Sequence, residues 1–249
     1  MRYFMDLSYD GTNYHGWQNQ PDAISVQSCI EKALSLLVKV DTPIYAAGRT
    51  DSGVHAVKMC AHFDSIKLSN ISKLLHDLNS FLPKDISIND IYEVNIDSHA
   101  RFDALFREYD YKISLHKNVF NNNRSYYIKN VLDIELMNDA CQILLNYTNF
   151  KCFSKSKSDV KTFNCDLVHA NWKLYGDELI FKIKANRFLR NMVRAIVGTL
   201  VHVGLKKISL KEFERIIISQ DRTKAGPSAP AHALYLTNIT YPKEIILNE

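Results

Sequence analysis

The strongest constraint on this chain is the order in which two hydrophobic periods alternate. Arg2 to Tyr9 alternates weakly and is rich in aromatics, as a strand is. Val26, Cys29, Ile30, Ala33, Leu34 and Leu37 then recur at the helical period, with Ser25 placed as a cap. Two strand-like runs follow, Pro43 to Ala47 and Val57 to Phe63. Ile71, Leu74, Leu75 and Leu78 mark a second helix, with Ser69 as its cap and Pro83 as its end. Ile86 to Val94 is a further strand. Strand–helix–strand–strand–helix–strand is the split β-α-β order of ferredoxin-like domains.

That order then repeats. Arg107 to Leu115 alternates as a strand does, and Ile134, Met137, Cys141, Leu144 and Leu145 lie on one helix face. Val160 to Leu174 and Leu179 to Ala185 read as a hairpin turning at Tyr175-Gly176-Asp177-Glu178. Leu189, Met192, Val193, Ile196, Val197 and Leu200 form another helical stripe. Ser209 and Glu212 make a capping box for a short extra helix, and Leu234 to Thr240 is the closing strand. The repeat lies in the order of elements, with no residue-level repeat behind it. The chain of 249 residues is therefore expected to be α+β, in two ferredoxin-like (βαββαβ) halves with largely antiparallel sheets. The halves, 1–103 and 104–249, would join side by side around a central catalytic cleft. No Pro- or Gly-rich linker separates them at Ala100 to Ala104, so rigid packing is expected. Asn118 to Asn130 and Ser154 to Asp159 are expected as mobile loops. Thr223 to Ala231, with Gly226, Pro227 and Pro230, is expected as an ordered but irregular connection.

Composition narrows the function classes. No apolar run reaches the roughly 18–20 residues needed to span a bilayer, and Met1 to Asp10 carries no secretory signature. The five cysteines are widely spaced and form no C-x-x-C pair, so neither a zinc site nor a redox motif is expected. A reducing cytoplasm suits them, with Cys29 and Cys141 on apolar helix faces. A net charge of +4 does not by itself indicate nucleic acid. Local groups say more: Lys151, Lys155, Lys157 and Lys161 fall in one polar region, and Arg187, Arg190 and Arg194 recur at helical spacing. Such groups suit phosphates, and they suit a solvated face equally well.

The chemistry centres on Ala46-Ala47-Gly48-Arg49-Thr50-Asp51-Ser52-Gly53-Val54-His55-Ala56, a loop between two strand-like runs. Two glycines in six residues permit unusual backbone angles. The loop can hold Asp51 on the rim of a sheet, or it can be an ordinary turn whose Thr50, Asp51 and Ser52 bond to their own backbone.

Gly48 to Ala56 closely resembles the signature loop of the TruA-type tRNA pseudouridine synthases. Tyr9-Asp10-Gly11 with Gly16-Trp17-Gln18 is similar to that family's first strand and following turn. His99-Ala100-Arg101-Phe102 and Arg107-Glu108-Tyr109-Asp110-Tyr111 resemble its central segment. Asn186 to Arg194 with Ile196 to Leu200 is similar to its late helix, and Pro230 to Leu236 to its last strand. The five matches run in order across nearly the whole chain.

The resemblance implies an enzyme that isomerises uridine to pseudouridine at positions 38 to 40 of the tRNA anticodon stem-loop. The reaction breaks the C1′–N1 bond, rotates the uracil and joins C5 to C1′. It needs one ionised carboxylate in a pocket that excludes water, and no cofactor or metal. Asp51 takes that role by resemblance, either attacking carbon or removing a ribose proton to give a glycal. Burial would favour its neutral form, which a nearby cation opposes, and the family's late-helix arginine matches Arg194. An arginine on the buried side of a helix should have a carboxylate partner; a surface arginine with its stem over apolar neighbours is the alternative. Tyr109 matches the family's active-site tyrosine, able to stack on uracil and to move the C5 proton. Tyr111 shares its direction in the strand and is the alternative for the same pocket. Arg49 matches the arginine that fills the space left by the flipped base. Recognition should rest on the shape of an RNA stem, with tRNA rather than DNA as partner, and the resemblance implies a homodimer.

Two departures bear on substrate preference: Ala233 stands where many relatives have glycine, and Asn164-Cys165 where the region often ends in arginine. A non-catalytic RNA-binding module is the main competitor, but its aromatic sheet motif is missing from this sequence. A protein with no substrate would have no need of Arg49, Asp51, Tyr109 and Arg194 together.

Overall fold

The computed structural model describes residues 1–156 and 160–247. The protein is α+β, with mixed but mostly antiparallel strand pairing and five α-helices among the described residues. Two compact units are present. One is Met1–Leu105 together with the chain from Tyr235 onward, and the other is Phe106–Leu234.

The first unit runs β1 (Arg2–Tyr9), α1 (Val26–Val38), β2 (Tyr45–Ala46), β3 (His55–Asp64), α2 (Ile71–Phe81) and β4 (Ile86–Val94). β1 lies between β3 and β4, antiparallel to both, and β2 pairs with the far edge of β3. The central position explains why β1 alternates only weakly: Tyr3, Phe4, Met5, Leu7 and Tyr9 are all buried. α1 starts at Ser25, whose hydroxyl accepts from the Ser28 N–H at 3.0 Å while Ser25 N–H donates back to the Ser28 hydroxyl. It buries Val26, Ile30, Ala33 and Leu34. Cys29 is only half-buried, at the margin of that stripe.

Two expectations here are corrected. α2 is capped by Asn70, not Ser69; the Asn70 side chain accepts from Lys73 N–H at 2.7 Å. The run Pro43 to Ala47 forms only the two-residue β2. Pro43 has no N–H to give, and the Ile44 N–H goes to the Glu31 carboxylate at 3.0 Å instead of to a ladder. A bulge also interrupts the β1–β3 pairing: Leu7 faces Met59, but Tyr9 faces Ala56. The extra residue lies on β3, and β1 keeps its alternation through Tyr9.

The second unit runs β5 (Phe106–Ser114), β6 (Tyr126–Tyr127), α3 (Ile134–Leu145), β7 (Leu167–Tyr175), β8 (Glu178–Ala185), α4 (Met192–Gly204) and α5 (Leu210–Ser219). β8 lies between β5 and β7, antiparallel to both, and β6 pairs in parallel with β5. β7 starts later than the expected Val160. The stretch before it bonds elsewhere: Phe163 O accepts from Phe150 N–H at 3.0 Å, and Cys165 N–H donates to Thr148 O at 2.9 Å. Asn118 to Asn130 holds a 3-10 turn at Val119–Asn121 and the whole of β6. Of the loop Ser154 to Asp159, residues 157–159 lie outside the described residues.

α4 is apolar nearly all round, and every residue in it except Arg194 and His202 is buried. The connection 226–230 is seated on it. Gly226 N–H donates to the Thr199 hydroxyl at 2.9 Å, and Ala229 N–H to Arg194 O at 2.9 Å. Pro227's carbonyl occupies the place where a Cβ on Gly198 would stand. The closing strand β9 (Leu234–Thr240) sets Tyr235 and Leu236 in parallel register with His55 and Ala56 of β3.

Candidate active site

In the first unit, Asp51 sits on the loop that leads from β2 into β3. The loop is fastened to the segment after β1 at several points. The Thr50 side chain is buried, and its hydroxyl meets the Tyr9 hydroxyl at 2.9 Å. Thr50 O accepts from Trp17 N–H at 3.2 Å. The Ser52 hydroxyl donates to Tyr14 O at 3.1 Å. Asp51 O accepts from Val54 N–H at 3.1 Å, a turn that carries Gly53 at φ +77°. Beyond the turn, His55 is buried, its Nδ1 accepts from Gly11 N–H at 3.1 Å, and its ring stacks on Tyr235 with centroids 4.6 Å apart.

Gly16 makes this fastening possible. Its φ is +88°, and a Cβ on it would lie 2.5 Å from Thr50 O and 3.1 Å from the Asp51 carbonyl carbon. Only glycine accepts both the angle and the approach. Tyr14, two residues earlier, is buried and donates its hydroxyl to Asp85 at 2.5 Å. Burial, then that carboxylate, holds its phenol far above the ordinary range. The result is a loop whose backbone is fixed while Asp51 remains half-exposed and Arg49 exposed on one rim. The Thr50 and Ser52 hydroxyls bond across to Tyr9 and Tyr14, while the backbone turn closes within the loop from Val54 N–H to Asp51 O.

Tyr109 and Arg194 both lie in the second unit. Tyr109 is on β5 opposite Ile183 of β8, half-buried, with the Phe188 ring edge-on at 5.2 Å and 89°. The neighbouring residues on the other face of β5 form ion pairs with β8: Glu108 with Lys184 at 2.8 Å and Asp110 with Lys182 at 3.6 Å. Tyr111 shares Tyr109's face but is a core residue. It is 0% exposed, its hydroxyl donates to Pro230 O at 2.9 Å, and burial pushes its ionisation out of reach. Of the two tyrosines, Tyr109 alone keeps a solvent-facing edge.

Arg194 is the third residue of α4 and half-buried. Its Nε donates to Ala229 O at 2.8 Å, so backbone and side chain of Arg194 both engage Ala229. Two further groups brace that connection. Asn191, at φ +65°, donates its amide to the Ser228 hydroxyl at 2.7 Å, and the Arg222 guanidinium donates to Gly226 O and to the same hydroxyl, both at 3.0 Å.

The expected helical spacing of Arg187, Arg190 and Arg194 does not hold. The left-handed Asn191 starts α4 at Met192, so the first two arginines precede the helix and do not share a face with the third. Lys151, Lys155 and Lys161 are exposed, with the Lys151 ammonium 5.6 Å over the Phe163 ring; Lys157 lies outside the described residues. Among the described residues, no group of three or more His, Cys, Asp or Glu side chains is arranged to hold a metal ion, and no helix is long and apolar enough to cross a membrane.

Sequence reasoning missed the supporting residues: the Tyr9–Thr50 pair, the close approach at Gly16, and the Asn191–Ser228–Arg222 brace. Gly16 and Tyr9 stood inside quoted matches, but nothing in their spacing told what they touch.

Comparison with known proteins now bears on this geometry. A family model described as tRNA pseudouridine synthase matches residues 7–103 and 140–242. The chain is 50% identical to tRNA pseudouridine synthase A of Bacteroides fragilis, over 98% of each chain. It is 48% identical to the protein of that name from Parabacteroides distasonis, over 98% of this chain and 97% of the relative. The corresponding Bacillus licheniformis protein is 40% identical, over 97% of this chain and 99% of its own length.

Proposed function

This chain belongs to the tRNA pseudouridine synthase A family, and from that premise we propose that it converts uridine to pseudouridine at positions 38, 39 and 40 of the tRNA anticodon stem-loop. The target base leaves the stem, and Arg49 fills the space behind it. The Asp51 carboxylate acts at the ribose or the base. The C1′–N1 bond breaks, the uracil turns, and C5 bonds to C1′. C5 gives up its proton and N1 gains one, so the isomerisation balances without oxidant or leaving group. Tyr109 stacks on the uracil and serves the late proton transfer, and Arg194 supplies the cation that favours an ionised carboxylate. In this reading the chain is built of two ferredoxin-like halves, 1–103 and 104–249, and two copies of the chain cradle one tRNA.

One observation carries the proposal. Asp51 is half-exposed on a loop whose flanking residues are tied at both sides by Thr50 and Ser52. A carboxylate held in this way has little geometry left to organise when substrate arrives.

The test is Asp51→Asn, which keeps shape and removes charge. Single-turnover assays on tRNA, with carbodiimide primer extension to map the product, should show no pseudouridine. Affinity for tRNA should stay near wild type, because it rests on phosphate contacts elsewhere. Product above a small fraction of the wild-type yield would remove Asp51 from this role, and product at other uridines would correct the assigned positions.

A further inference from the structure

We infer that Tyr9 is a positioning residue for the reaction, acting on Asp51 through a buried hydroxyl pair with Thr50. The inference rests on the reading of Asp51 as the catalytic carboxylate. Tyr9 closes β1, directly after the bulge that shifts its register from Leu7–Met59 to Tyr9–Ala56. Tyr9 keeps the phase of the buried Tyr3, Met5 and Leu7, while β3 carries the extra residue opposite it. Its ring lies 6.1 Å from that of Trp17, and its hydroxyl reaches Thr50 at 2.9 Å across 41 residues of sequence. Both side chains are nearly inaccessible, Tyr9 at 5% and Thr50 at 8%.

Thr50 is the residue immediately before Asp51. Its carbonyl, one atom from the Asp51 nitrogen, is held by Trp17 N–H and by the close backbone of Gly16. Its side chain is held by Tyr9. The torsions that aim Asp51 therefore start from a residue pinned on both its backbone and its side chain. The buried Thr50 hydroxyl is costly to leave without the Tyr9 hydroxyl it meets, so Tyr9→Phe should make Thr50 turn or shift. A shift of this kind at Asp51, short of unfolding, is enough to slow chemistry by one to two orders of magnitude.

The experiment compares Tyr9→Phe, Thr50→Val, Thr50→Ser and the double variant Tyr9→Phe/Thr50→Val, with Asp51→Asn alongside. Each is assayed by single turnover on tRNA and by tRNA binding, with thermal melting as the check on folding. The expected result is a roughly 10- to 100-fold lower rate for Tyr9→Phe and for Thr50→Val at unchanged tRNA affinity. The double variant should be no slower than the worse single, since two groups that act as one unit are not additive. Thr50→Ser, which restores the hydroxyl, should keep most of the rate. A merely structural pair predicts otherwise: lower melting points with rates that recover at lower temperature, or losses that add. Wild-type rates in Tyr9→Phe, additive losses, or a Thr50→Ser as slow as Thr50→Val would overturn the inference. If Asp51→Asn is dead while Tyr9→Phe is fully active, the inference fails alone. If Asp51→Asn turns over, the reading beneath it fails.

Discussion

Gly198 and Gly204 lie on the same buried helix, α4, and an alanine at each should give unequal outcomes. Replacing glycine by alanine inside a helix is intrinsically favourable by about 0.8–1.0 kcal/mol. At Gly198 the new Cβ would overlap the Pro227 carbonyl oxygen and press on Ala229 N at 3.3 Å. Both are backbone atoms and cannot swing aside. The connection must lift, which weakens Gly226 N–H to Thr199 and Ala229 N–H to Arg194 O, at about 1 kcal/mol for each bond. Overpacking adds about 1–3 kcal/mol. Sterics therefore exceed propensity, and we expect a net loss of about 2–4 kcal/mol. For a chain of this size that lowers Tm by roughly 4–16 °C. Catalysis should fall too, because the lifted connection carries Ala229, which accepts from Arg194 Nε. At Gly204 the same methyl meets Met137 Sδ at 2.5 Å and Leu132 at 3.4 Å. A methionine end can rotate away, so Gly204→Ala should stay within about 1 kcal/mol of wild type. Differential scanning calorimetry of the two variants with parallel turnover assays decides this. A Gly198→Ala protein that melts at or above wild type, or two variants that shift equally, would show that the seating of 226–230 on α4 does not govern stability.

Arg49→Ala should lower turnover by about one to two orders of magnitude on a paired stem and by less on a stem whose target uridine is mismatched, since less unstacking remains; equal losses in single-turnover kinetics would reduce Arg49 to loop support. Sedimentation at micromolar protein should give a dimer mass, and a monomer with full activity there would contradict the two-copy reading. His62 is buried, accepts Ala100 N–H on its Nδ1 at 3.2 Å, and is pushed down to about 4 by burial first and then by His99 and Arg2. Asp64 and Asp103 oppose this shift. The folded state thus binds fewer protons here than the unfolded chain between about pH 4 and about pH 6.5. The stability it contributes is complete above that window and is lost as pH falls through it. Urea midpoints for wild type and His62→Gln should converge toward pH 4, and parallel midpoints across the window would refute this.

Elements whose ends are written locally were legible in the sequence. α1 and α5 begin at Ser25 and Ser209, which cap through the next turn. β1, β4 and β9 are bounded by their own patterns. Elements whose ends depend on distant partners were not. β2 is short because Glu31 takes the Ile44 N–H, and β7 is late because Thr148 takes that of Cys165. α4 begins where Asn191 turns left-handed, which an apolar run extending back to Leu189 conceals. The same division holds at the site. Local chemistry left Asp51 undecided between a turn and a held carboxylate, and only the family likeness nominated it. What bears on that choice lies at Tyr9, Tyr14, Gly16 and Trp17, and Tyr9 sits where a bulge shifts the register between β1 and β3. A bulge is a register difference between two strands, so neither strand's sequence contains it. The backbone on either side of Asp51 is thus tied by residues remote from the loop in sequence.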